Sequence, residues 1–128
     1  MVVEDKEIIL LKVSGQDKPG VTAGLTSILA SYDAIILDIG QADIHDTLSL
    51  GILFEIKTGS SSAAVLKDLL FKAYELGIKV NFIPITIPDY EIWVKGQRKQ
   101  RYIINILGET LTAVQLAAVT KIMSDQNL

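Results

Sequence analysis

From Leu48 to Lys57 the chain alternates with a period of two: Leu48, Leu50, Ile52, Phe54 and Ile56 fall on one side, and Ser49, Gly51, Leu53, Glu55 and Lys57 on the other. Such alternation marks a β-strand whose one face is wholly apolar and must be covered. The cover follows in the chain. Ser60-Ser61-Ser62 is a capping cluster, and Val65, Leu66, Leu69, Leu70 and Ala73 then recur at helical spacing until Gly77 stops the run. Upstream, Ala34 to His45 is a second apolar run, and Asp46-Thr47 between the two runs reads as the turn of a β-hairpin. Ile8 to Val13 reads as a buried strand, residues 20–31 as a helix, and Ile78 to Ile87 as a last strand. Pro84 cannot donate to a ladder, which puts that last strand at a sheet edge or at a bulge.

The order is strand, helix, strand, strand, helix, strand. With right-handed crossovers it gives an α+β, ferredoxin-like βαββαβ fold, an antiparallel four-stranded sheet with both helices on one face.

The loop between the first strand and the first helix carries the candidate ligand site: Gly15, Gln16, Asp17, Pro19, Gly20, Val21 and Thr22. Gly15 and Gly20 supply backbone freedom, and Pro19 is expected in the first helical turn, where there is no N–H to lose. The first amides of the helix, near Gly20, Val21 and Thr22, lack intrahelical acceptors and carry the positive end of its dipole, so they suit a carboxylate or a phosphate. Taken alone, Asp17 reads as the helix cap. Thr22 is in reach of a ligand carboxylate, with plain solvent exposure as the simpler account.

The Gly-x-Asp-x-Pro-Gly turn after the first strand, together with the element order from Ile8 to Ile87, resembles the ACT domain, a small module that senses amino acids in metabolic enzymes and regulators. The resemblance implies a free amino acid as ligand, held at the loop from Gly15 to Gly20.

The pattern begins again near the C-terminus. Residues 101 to 108 repeat 8 to 15 at a constant offset, Leu10 matching Ile103, Val13 matching Ile106 and Gly15 matching Gly108, and one residue further out of phase Leu25, Ile28 and Leu29 match Val119, Ile122 and Met123. The expected organisation is an ACT domain over 1–87, a linker over 88–100, and the first strand and helix of a second, incomplete ACT unit over 101–128. A lone strand and helix cannot bury their own apolar surface, so either the sequence is an excised fragment or the missing pieces come from elsewhere, and the chain is expected to be a homodimer.

Tandem ACT-like units joined by Pro88 to Trp93 resemble the N-terminal regulatory region of bacterial phosphoserine phosphatases, enzymes of serine biosynthesis. That resemblance implies L-serine as the ligand. The catalytic domain of those enzymes needs an Asp-x-Asp-x-Thr motif beside Mg²⁺. No such motif stands in this sequence, where Asp43-Ile44-His45-Asp46 has the wrong spacing and Asp38-Ile39-Gly40 lacks the second carboxylate. No catalysis and no cofactor are therefore expected of these residues, Mg²⁺ belonging to the absent domain. The glycine cleavage repressor and the formyltetrahydrofolate deformylases share the Asp-x-Pro-Gly turn, and a structural, oligomerising ACT module is the alternative reading.

Composition sets the remaining bounds. There is no Cys, which removes disulfides, thiol catalysis and thiolate metal sites together, and 49% of residues are hydrophobic, a high share that favours a partner. A formal net charge of −3 argues against nucleic acid, the basic run Lys95 to Arg101 reading as solvated linker. Lacking a long apolar stretch or a signal-like N-terminus, the chain is expected in the cytoplasm and off the membrane. His45, the only histidine, reads as turn chemistry beside Asp43 and Asp46 and not as a metal ligand. Tyr90 and Trp93 read as aromatics that pack the linker against a sheet.

Overall fold

The computed structural model describes residues 6–57, 60–96, 105, 107, 108, 110 and 112–126. The elements are β1 (Lys6–Gln16), α1 (Val21–Ser31), β2 (Ile35–Ile44), β3 (Thr47–Lys57), α2 (Ser60–Leu76), β4 (Lys79–Ile85), α3 (Ile87–Gly96) and α4 (Ala113–Asp125). The sheet is antiparallel with order β2-β3-β1-β4, so the expected ferredoxin-like arrangement is present. Two compact units divide the chain, Met1–Val94 and Lys95–Leu128.

The alternating run sets the core. Leu48, Leu50, Ile52, Phe54 and Ile56 of β3 are all buried, and Ile9, Leu11 and Val13 of β1 are buried beside them. Val21, Leu25 and Leu29 of α1 and Val65, Leu69 and Ala73 of α2 cover this face, each set spaced by four residues so that it stays on one side of its helix. Leu66 is partly buried, whereas Leu70 is 52% exposed, because the stripe of α2 that reaches the sheet is narrower than its apolar pattern. Both helices end in the same way. Ala34 N donates to the Leu29 carbonyl and Asp33 N to that of Ala30, and after α2 Ile78 N donates to Ala73 and Gly77 N to Tyr74, two Schellman motifs with Asp33 and Gly77 at positive φ.

The hairpin turn lies one residue earlier than the sequence indicates. His45 (φ 48) and Asp46 (φ 61) occupy it, and Thr47 already pairs with Ile44. Positive φ at both central residues matches the right-handed twist of the flanking strands. Proline's place is as expected: β4, carrying Pro84, is an edge strand that among the described residues pairs with β1 alone. β4 stops at Ile85, and the irregularity in pairing falls instead in β2, at Leu37 between Ile36 and Asp38.

The segment read as a linker is helical from Ile87 to Gly96. Thr86 caps it, its Oγ1 accepting from Asp89 N at 3.2 Å and its carbonyl from Tyr90 N at 2.9 Å. Pro88 sits in the first turn, where no N–H is missed, and Asp89 faces the positive end of the helix dipole.

In the second unit, the strand expected over Tyr102 to Leu107 falls mostly outside the described residues, which include neither Arg101 to Ile104 nor Ile106. Asn105, Leu107 and Gly108 are described and have no regular secondary structure. The helix expected within 101–128 is α4, opened by a capping box in which Gln115 N donates to Thr112 Oγ1 and Thr112 N to Gln115 Oε1, both at 3.2 Å.

Candidate functional site

Pro19 and Gly20 form the centre of a tight turn. Val21 N approaches the Lys18 carbonyl at 3.4 Å, and Gly20 has φ 89 and ψ 0, the third-position geometry of a type II turn, for which proline followed by glycine is the preferred pair. Pro19 is thus outside the helix and not in its first turn. Its fixed φ suits the second position of the turn, and Gly20 alone tolerates the third. Gly20 is also the N-cap of α1, its carbonyl accepting from Gly24 N at 2.8 Å.

No side chain caps this end of α1. Asp17 therefore does not fill the capping role expected of it; its backbone N–H donates to the Asp46 carbonyl at 2.7 Å, tying the loop to the β2–β3 turn. The amides of Thr22 and Ala23, second and third in the helix, are the ones that such a cap would have satisfied, so they are left for solvent or an anion.

Gly15 and Gln16, read as loop, are the last residues of β1, opposite Leu48 and Thr47. Gly15 is needed for closeness: a Cβ there would lie 3.0 Å from Ile78 Cγ2 and 3.3 Å from its Cα. Val21 is buried and anchors the turn to the core, and so offers a ligand only its backbone. The seven expected residues do form one continuous structure, with Gln16, Asp17, Pro19 and Gly20 at the surface.

Two neighbours were not expected. Thr22 Oγ1 donates to Gln41 Oε1 at 2.8 Å, and Gln41 Nε2 donates to the Asp43 carboxylate at 3.2 and 3.4 Å. Gln41 and Asp43 lie opposite Leu50 and Leu48, on the face of the sheet that carries the helices. The sequence holds a signal for them: along this face β2 runs Ile36, Ile39, Gln41, Asp43, and the change from apolar to polar marks where the core ends. Lys18 completes the set, its Nζ donating to the Leu76 carbonyl at 3.4 Å, at the negative end of α2.

These groups give the site amide donors, a carboxamide, a carboxylate and an ammonium within one loop and one strand end. They match the two charged ends of a free amino acid. The pattern of the ACT domain spans residues 7–83 of this chain. The chain belongs to the ACT domain family.

Among its relatives, a UPF0237 protein of Methanopyrus kandleri is 36% identical over 72 residues, covering 56% of this chain and 80% of that protein. The phosphoserine phosphatase of Mycobacterium tuberculosis is 28% identical over 116 residues, 91% of this chain but 27% of the enzyme. An ACT domain protein from Streptococcus pneumoniae has the same fold, with TM-score 0.53 and 19% identity over 61% of this chain and 89% of that one. So does a putative glycine cleavage system transcriptional repressor, with TM-score 0.56 and 13% identity over 63% and 47%. The UPF0237 protein of Methanopyrus kandleri is more identical to this chain than the phosphoserine phosphatase is, 36% against 28%, and a tandem arrangement does not follow from these matches.

Among the described residues no group of three or more His, Cys, Asp or Glu could hold a metal, and no helix is long and apolar enough to cross a membrane. His45 is in the hairpin turn.

Proposed function

We propose that this ACT domain binds a free amino acid at the turn from Gly15 to Thr22 and passes the binding event to whatever it is attached to. The observation that carries this reading is the uncapped start of α1 on a Pro-Gly turn, joined through Thr22 to Gln41 and Asp43. The Thr22 and Ala23 amides take the carboxylate, and Asp43 stands on the side from which an ammonium would be held. In a phosphoserine phosphatase-like protein of serine biosynthesis the ligand is L-serine, an end product that biases a distant catalytic domain by preferring one arrangement of ACT units. On this reading the 128 residues, which hold no Asp-x-Asp-x-Thr motif, bind without catalysing.

Calorimetric titration with a panel of amino acids tests this. Saturable heat with L-serine, lost in Gly20→Val, is the expected result, together with no phosphate release from phosphoserine in the presence of Mg²⁺. No heat from any amino acid would refute the ligand reading. The alternative, an oligomerising ACT module, is favoured by one observation, that β2 has no pairing partner on its outer side among the described residues, and would be left standing by a dimer that binds nothing.

A further inference from the structure

The sheet face turned away from α1 and α2 is also apolar at one end. Leu10 of β1 lies between Leu53 of β3 and Ile83 of β4, and Ile8 between Glu55 and Ile85. Ile8 is only 2% exposed although it points away from the main core. The first two turns of α3 stand over this region. Between helix and sheet is a cleft of about 320 Å³, lined by Leu10, Leu53 and Ile85 from the strands and by Tyr90 and Trp93 from the helix, with Asp38 and Asp89 at its margin.

Three features of the cleft bear on what it takes. Its volume is at the lower limit of small-molecule sites, room for a single ring and a short tail. Its surface is almost wholly apolar, and two rings define one wall, the Tyr90 and Trp93 centroids 5.9 Å apart with planes inclined at 33°. Both of its ionisable lining residues other than Tyr90 are carboxylates, and among the described residues no Lys or Arg lines it. The closest lysine along β1, Lys12, lines a separate groove beside Gly40 and Gly51. Carboxylates around an aromatic wall attract a cation and repel an anion, and a ring face adds its own attraction for an ammonium.

We propose that this cleft is a second ligand site, for a small organic ammonium with an aromatic body and no carboxylate. It goes beyond the amino-acid site at the start of α1, which is built to hold a carboxylate and lies on other residues.

Trp93 is the only tryptophan in the chain, so its emission reports the cleft directly. Phenethylamine is the probe and phenylacetate, the same ring with the opposite charge, its counterpart. Titration of the full chain should give a saturable change in Trp93 emission with phenethylamine and none with phenylacetate. Replacing both Asp38→Asn and Asp89→Asn should weaken the amine about fivefold, the scale of two exposed charge pairs. Leu53→Phe, which fills the cleft, should abolish the response, and Gly20→Val should leave it unchanged. Amide shifts of the unmodified protein, expected at Leu10, Leu53, Tyr90 and Trp93, give the same answer if Leu53→Phe fails to fold. An absent response, an equal response to phenylacetate, or shifts confined to other residues would overturn the proposal. Because the readout and Gly20→Val separate the two sites, either can fail alone.

Discussion

Thr22 Oγ1 and Gln41 Oε1 are 2.8 Å apart, so the first turn of α1 and the outer strand of the sheet share a polar link across 19 residues of sequence. The link orients the Gln41 amide toward Asp43, and a ligand at the start of α1 would meet both groups at once.

Thr22→Val keeps the side-chain shape and removes the donor. One neutral hydrogen bond at a half-exposed position is worth about 1 kcal/mol, so the midpoint of urea unfolding should move only slightly. Amino-acid affinity, read by calorimetry, should fall about three- to tenfold, since Gln41 loses its fixed orientation. Equal affinity in Thr22→Val and the parent would remove Gln41 from the site.

Gly20 and Gly15 are constrained for different reasons, and alanine distinguishes them. A Cβ at Gly20 meets nothing within 4 Å, so Gly20→Ala pays only for its left-handed backbone, about 1–2 kcal/mol. Gly20→Asn should cost less, because asparagine tolerates that region better. At Gly15 the new methyl would press on Ile78, close to its backbone, and Gly15→Ala should be the more destabilising in urea. The reverse order would mean that the turn is not held in this conformation.

Which features were legible in the sequence follows from their physics. The period-two run of β3 and the four-residue spacing in α2 report burial directly, and the fold rests on them. The Pro-Gly pair fits a helix start and a turn alike, and the choice depends on the φ of Gly20 and the Lys18 carbonyl, so local sequence does not separate Pro19 in a first helical turn from Pro19 in a type II turn. Asp17 fits a cap by composition, yet its backbone is taken by Asp46, 29 positions away and invisible to any local rule. The helix at 87–96 was hidden because Pro88 suggests a break, whereas in a first turn it costs nothing. Gln41 and Asp43 needed the β2–β3 register before they could be placed beside Thr22.

Tyr32 donates its phenolic hydrogen to Asp68 Oδ2, joining the end of α1 to α2. This bond first, then partial desolvation and the carboxylate's charge, holds the Tyr32 pKa above 10.0. A group whose folded pKa is raised contributes stability in full below its unfolded value and loses it as pH rises through the folded one. Stability should therefore be flat in this respect up to about pH 10 and decline above it. Tyr32→Phe should be less stable than the parent at neutral pH, and the difference should shrink in alkali. A constant difference from pH 8 to 12 in thermal melts would show that the bond does not form in solution.

The outer edge of β2 should be where a second copy joins. Among the described residues β2 pairs only with β3, which leaves its other row of backbone groups without a described partner, and Ile36 and Ile39 are 41% and 47% exposed on the face that carries the helices. A free strand edge with apolar flanks is an association site, and a two-fold axis across two β2 strands would join the sheets into one. The bulge at Leu37 breaks the regular stretch, so pairing should run over 38–44, with Ile39 inside it and Ile36 outside. Light scattering at tens of micromolar should give twice the chain mass. Ile39→Lys places a charge inside the seam and should yield monomer with unchanged circular dichroism, while Ile36→Lys should weaken the dimer only in part. A parent chain that is monomeric at that concentration, or an Ile39→Lys chain that stays dimeric, would rule out this edge as the interface.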